Sequence, residues 1–105
     1  MINILENLPK NTEVEHFQDI IKSDAIRIER IVSYGQSSPE EGWYDQSEHE
    51  WVLVLSGYGV VEFDCGEICQ LKSGDCLLIK AGRKHRVIET SSDEATVWLA
   101  IFYRE

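Results

Sequence analysis

The stretch Gly74-Asp75-Cys76-Leu77-Leu78-Ile79-Lys80-Ala81-Gly82-Arg83-Lys84-His85 decides the fold. A turn opens it, a short apolar strand follows, a second turn closes at Gly82, and a histidine starts the next strand. An earlier stretch is built in a related way: Glu50-Trp51-Val52-Leu53-Val54-Leu55-Ser56-Gly57 sends a carboxylate into an apolar strand and ends on glycine. Outward from these two, residues 26–34 alternate as a strand, and residues 35–42, which include Pro39, read as a polar loop. Ser56-Gly57-Tyr58-Gly59 reads as a turn, and residues 60–64 as a strand with a wet face at Glu62 and Asp64. Cys65-Gly66 can close a hairpin onto residues 68–71. Residues 76–79 read as buried on both faces, and residues 86–90 and 97–103 complete the set. Short strands separated by glycine-bearing turns predict an all-β sandwich or barrel.

The first 24 residues read differently. Thr12 with Glu15 three residues on has the form of a capping box, and Val14, Phe17, Ile20 and Ile21 recur at helical spacing. This predicts one short helix over about residues 13–22, packed on a barrel formed by residues 25–105, with residues 1–105 as a single domain.

The chain has 105 residues and 43% hydrophobic content, enough for one domain with its own core. A formal net charge of -9 repels phosphate backbones and argues against nucleic-acid binding. No apolar run approaches bilayer-spanning length, so no membrane partner is expected. The residues from Met1 to Glu6 lack the pattern of a secretory signal, and a cytoplasmic location is expected. Cys65, Cys69 and Cys76 are an odd number and read as small buried or turn-edge thiols, not as a disulfide framework.

Alternation supplies the faces. Glu50, Val52 and Val54 share one side of their strand, and Trp51, Leu53 and Leu55 the other. His85, Val87 and Glu89 share a side of theirs. A carboxylate turned into a barrel needs a partner, since an unpaired buried charge is costly. A metal ion or a cationic His85 would supply one, whereas a Glu50 at the wet rim would need neither.

With these residues in view, the chain resembles the cupin superfamily, whose first motif is Gly-x5-His-x-His-x3,4-Glu-x6-Gly and whose second is Gly-x5-Pro-x-Gly-x2-His-x3-Asn. Gly74, Gly82 and His85 fall at the second motif's spacing, with Lys80 for the proline and Glu89 for the asparagine. The first motif keeps Glu50 and Gly57 and loses both histidines, whose places fall to Tyr44 and Gln46 or, with one more residue in the gap, to Trp43 and Asp45. The stretch from Trp43 to Gln46 followed by Glu50-Trp51-Val52 is also similar to small single-domain bacterial cupins. The resemblance implies a double-stranded β-helix, or jelly-roll barrel, that holds a divalent metal. Glu50 and His85 would be two of its ligands, completed by Asp45 or Gln46. Alternation favours Gln46, while ligand chemistry favours Asp45. Such a set suits Mn(II), Fe(II) or Zn(II). Without a metal, Glu50 and His85 could act as an acid–base pair with Tyr44 as a hydrogen-bond donor.

Three functions follow as expectations: a metal-dependent enzyme acting on a small polar metabolite, a non-catalytic small-molecule binder, and a dimerisation module. Arg83 and Lys84 are candidates for attracting an anionic group on the substrate, or else belong to a solvated turn. The strands at 51–55 and 97–103 lack a polar face, which predicts burial against a second copy in a homodimer.

Overall fold

The computed structural model describes residues 1–39 and 41–105; Glu40, inside the loop expected at residues 35–42, lies outside the described residues. Eight strands follow one another: β1 (His16–Lys22), β2 (Ile26–Ser33), β3 (His49–Ser56), β4 (Tyr58–Phe63), β5 (Ile68–Lys72), β6 (Cys76–Ile79), β7 (His85–Thr90) and β8 (Thr96–Tyr103). They form a five-stranded sheet in the order β1-β2-β8-β3-β6 and a three-stranded sheet in the order β5-β4-β7. All pairings between strands are antiparallel. The two sheets face each other as a jelly-roll barrel.

The larger sheet presents its inner face in rows. Arg27, Phe102, Glu50 and Ile79 stand side by side across four strands, and Glu29, Ala100, Val52 and Leu77 form the next row. Ile31, Trp98 and Val54 form the third. From the smaller sheet, Val61, Phe63 and Leu71 meet them, and these apolar side chains make the core. Gly59 is required here: a Cβ on it would lie 2.1 Å from the Trp98 ring, so only glycine lets the indole pass.

The strand expectations hold except in three places. The helix expected over residues 13–22 is absent, and residues 16–22 are β1, paired with β2 along its whole length. A register shift between Asp19 and Ile21 explains the misleading pattern. Ahead of the bulge Phe17 pairs with the inward Ile31; after it Ile21 pairs with the outward Ile28. A one-residue bulge breaks period two and imitates helical spacing. Asn11 Oδ1 accepts the Glu13 amide at 3.0 Å, so the supposed capping box is a local turn. The turn expected at residues 56–59 narrows to Gly57, because Tyr58 already begins β4. β6 is not buried on both faces: Ile79 is buried, but Cys76 and Leu78 are exposed, since β6 is an edge strand of its sheet.

Arg30 ties the N-terminal segment down. Its guanidinium donates to the carbonyls of Ile4 and Glu6 at 3.1 and 2.9 Å and to Gln18 Oε1 at 2.7 Å. Among the described residues, no helix is long and apolar enough to cross a membrane.

Candidate functional site

Between the sheets lies a cavity of about 200 Å³. Val52, Val61, Ile79, Val87, Trp98 and Phe102 make apolar walls. Phe17 and Tyr44 also line it while remaining half-exposed, and so mark its mouth. Its polar groups include Glu50, His85 and Gln46 at one spot, with Glu15 and Glu29 elsewhere on the wall.

Glu50 enters on β3 pointing inward and is 9% exposed; His85, at the start of β7, is 5% exposed. Their side chains meet, with His85 Nε2 3.5 Å from Glu50 Oε1. The other ring nitrogen, Nδ1, lies 3.0 Å from the Arg83 carbonyl. A carbonyl only accepts, so Nδ1 carries a hydrogen and Nε2 is left to face the carboxylate. Burial works against the charged ring. The hydrogen bonds to Glu50 and to the Arg83 carbonyl, with the charge of Glu50, outweigh it, and the His85 pKa is raised above its ordinary value. His85 therefore holds its proton more readily than an ordinary imidazole does.

Tyr44 and Gln46 reach the site because residues 44–46 run alongside the turn before β7. Tyr44 and His85 exchange backbone hydrogen bonds at 2.8 and 3.1 Å, and the Gly82 amide donates to the Gln46 carbonyl at 2.9 Å. That bridge turns Tyr44 and Gln46 inward and leaves Asp45 exposed outside the cavity lining. Gln46 Nε2 donates to Glu50 Oε1 at 2.8 Å. The Tyr44 ring lies 5.7 Å from the His85 ring, centroid to centroid. Of the two residues, it is Gln46 that faces Glu50, while Asp45 is exposed.

Arg83 and Lys84 are not among the cavity-lining residues. The Arg83 guanidinium lies 3.5 Å over the Phe63 ring and pairs with Glu67 at 2.5 Å, while Lys84 is exposed.

Among the described residues, no three His, Cys, Asp or Glu side chains gather closely enough to hold a metal ion. The third polar group at the spot is a carboxamide with its NH₂ turned to Glu50, and no buried side-chain polar atom among the described residues lacks a partner. These residues do not fit a centre of three histidines and a glutamate, and no chemistry is derived through one.

Sequence reasoning missed Glu15, Phe17 and Glu29. Glu29 was within reach, since alternation sets it two residues from Ile31 on the inward face of β2. Glu15 and Phe17 depend on the pairing of β1 with β2, which the helical spacing concealed.

The fold and site define a small β-barrel with a largely apolar cup and a buried carboxylate–histidine couple. The family model described as "Cupin domain" matches residues 30–102, and the chain belongs to that family. Its structure is similar to that of a protein from Ralstonia eutropha JMP134 provisionally named a mannose-6-phosphate isomerase. The two are 36% identical over 100% of this chain and 98% of that one, with a TM-score of 0.95. It also resembles a cupin superfamily protein from Desulfitobacterium hafniense DCB-2, at 18% identity over 93% of this chain and 84% of that one, TM-score 0.78. A protein from Thermus thermophilus shares 17% identity over 98% and 95% of the two chains, TM-score 0.80. The last two likenesses speak for the fold alone. A search of curated proteins found no match.

Proposed function

We propose that this cupin binds a small, largely apolar molecule in its cup and that Glu50 and His85 exchange a proton with the molecule's polar end. The supporting observation is the placement of a nearly buried carboxylate–histidine pair on the wall of a largely apolar cavity. A general acid–base group must stand within reach of the bound atom, and water must be kept away. His85 Nε2 is the atom that gives or takes the proton, Glu50 stabilises the cationic ring, and Gln46 holds the Glu50 carboxylate in place. Tyr44, beside the His85 ring at the mouth, is the residue we place against the bound molecule.

The name of the Ralstonia relative points to a sugar phosphate. A phosphate calls for Lys, Arg or a set of backbone donors, and among the described residues neither Lys nor Arg lines this cavity. We therefore place Arg83 and Lys84 outside the binding role and do not carry a phosphorylated substrate over. The competing reading is a divalent metal, Mn, Fe or Zn, held by Glu50, His85 and the Gln46 amide oxygen. It would require that amide to turn over.

One experiment separates the readings. Protein purified without chelators is analysed for metals, and ligand-observed NMR follows fragment binding to wild type and to Val52→Trp, which fills the cup. Binding confined to the wild type, with substoichiometric metal, is the expected result. Stoichiometric metal lost in both Glu50→Ala and His85→Ala would replace the acid–base reading with a metal centre.

We also infer a homodimer through the outer face of the larger sheet, and a reducing, cytoplasmic setting in keeping with three free cysteines.

A further inference from the structure

The charge of the cup has one sign. Three carboxylates line it, those of Glu15, Glu29 and Glu50, and the only basic side chain among its described lining residues is His85. Two of the three have cationic partners. Glu50 faces His85, and Glu29 Oε2 lies 2.6 Å from Arg27 Nη1, whose other amino group reaches Glu48 at 3.1 Å. Arg27 is committed further, with its guanidinium 4.0 Å over the Phe102 ring.

Glu15 is different. Its Oε2 accepts from the Ser33 hydroxyl at 2.5 Å, and among the described residues no ion pair reaches it. Ser33 is fully buried and itself accepts from the Trp98 indole N–H at 3.2 Å. A chain of hydrogen bonds, Trp98 to Ser33 to Glu15, therefore runs from an apolar wall of the cup to this carboxylate and fixes its direction. A neutral hydroxyl satisfies a lone pair but brings no opposing charge to this half-buried carboxylate. The aromatic residues Phe17, Tyr44, Trp98 and Phe102 also line the cup, and aromatic faces attract cations.

Building on the reading of the cup as the binding site, we propose that its ligand is a small organic cation, an amine carried on an apolar body, whose charge is met by Glu15. The cavity is the site, and Glu15 sets which charge it accepts. Anionic ligands meet three carboxylates and no free cation on the described lining. An apolar body with one ammonium group matches both the walls and the charge.

The test uses a set of probes that share one body: 2-phenylethylamine, 2-phenylethanol and phenylacetate, with mannose 6-phosphate as the anionic sugar. Affinities are measured by calorimetry on wild type and Glu15→Gln, and ¹H–¹⁵N NMR locates binding through the Trp98 indole signal. The amine should bind about tenfold or more tightly than the alcohol, the equivalent of one 1.4 kcal/mol step. Glu15→Gln should bring the two together, and phenylacetate and mannose 6-phosphate should not bind. Equal affinity for amine and alcohol, both shifting Trp98, would overturn the charge assignment while leaving the cup as the binding site. Tighter binding of either anion would overturn the proposal outright. Silence from every probe at millimolar concentration would count against both the cation and the cup.

Discussion

At the scale of single residues, the site turns on His85. Its ring gains a carboxylate, Glu50, and a carbonyl, that of Arg83, and these hold its pKa above the ordinary 6.5 despite burial. A histidine whose folded pKa is raised stabilises the fold fully below its unfolded pKa and loses that contribution as pH climbs through the folded value. The stability advantage of wild type over His85→Gln should therefore be greatest below pH 6.5 and shrink as pH rises beyond it. Urea unfolding of both proteins across that range measures it, and the difference between them removes the contributions of His16 and His49. An advantage that grew with pH would mean that His85 is held neutral by burial, and the carboxylate–histidine pair would fall with it.

At the scale of elements, the two halves of the site differed in how much the sequence disclosed. Glu50 and His85 were legible as candidates: alternation along β3 allows an inward Glu50, and the Gly74, Gly82 and His85 spacing resembles a motif of the family. Alternation also put Gln46 on the inward side, though ligand chemistry argued for Asp45. What settles the question is the bridge between Tyr44 and His85, a contact across many residues. Glu15 was illegible for a stronger reason. It becomes part of the cup only because β1 lies against β2 in a particular register, and a bulge near Ile20 disguises that strand as a helix. The basic run near His85 misled in the opposite direction: adjacency in sequence put Arg83 beside the site, while its guanidinium stacks on Phe63 and pairs with Glu67. The bulge itself is testable. Deleting Ile20 would remove the extra residue and restore strict alternation, keeping Ile21 opposite Ile28 and Lys22 opposite Arg27 but losing the half-buried Ile20 side chain. A loss of 1–2 kcal/mol is about the scale of such a defect. In a domain of this size each kcal/mol lowers Tm by roughly 4–8 °C. A deletion variant that melts with the wild type would show that the bulge and its Ile20 side chain contribute nothing to stability.

At the scale of the whole molecule, the outer face of the larger sheet remains to be accounted for. Ile21, Ile28, Ile101, Trp51 and Leu78 are successive cross-strand partners over all five strands, so one apolar row crosses the entire sheet. Leu99 and Leu53 are paired in the next row, and Ile26 and Tyr103 in another. Ile21, Ile26 and Leu78 are exposed, and Trp51, Leu53, Leu99 and Ile101 are only partly covered. A chain with a net charge of -9 has charge enough to cover such a face with polar groups, yet the row through Ile101 is apolar from edge to edge, and Gln18, Arg30 and His49 interrupt only its neighbours. Contiguous apolar surface of this kind marks an interface. Two copies related by a twofold axis can bury the same face of each, which a single patch needs in order to close an assembly. The charge repulsion between two such acidic subunits is then spread over the remaining surface and screened by salt. Ile101 stands in the middle of the row, on the central strand β8. Ile101→Lys would put an ammonium group at the centre of the face without touching the cup, because its side chain points away from Trp98, Ala100 and Phe102. Sedimentation equilibrium at micromolar concentration should find the wild type as a dimer and this variant as a monomer. Both should bind the same probe in the cup with affinities that agree within about threefold, well inside the 1.4 kcal/mol of a tenfold step. A wild type that sediments as a monomer at every concentration would leave the apolar row open to solvent and dismiss the second copy as its occupant.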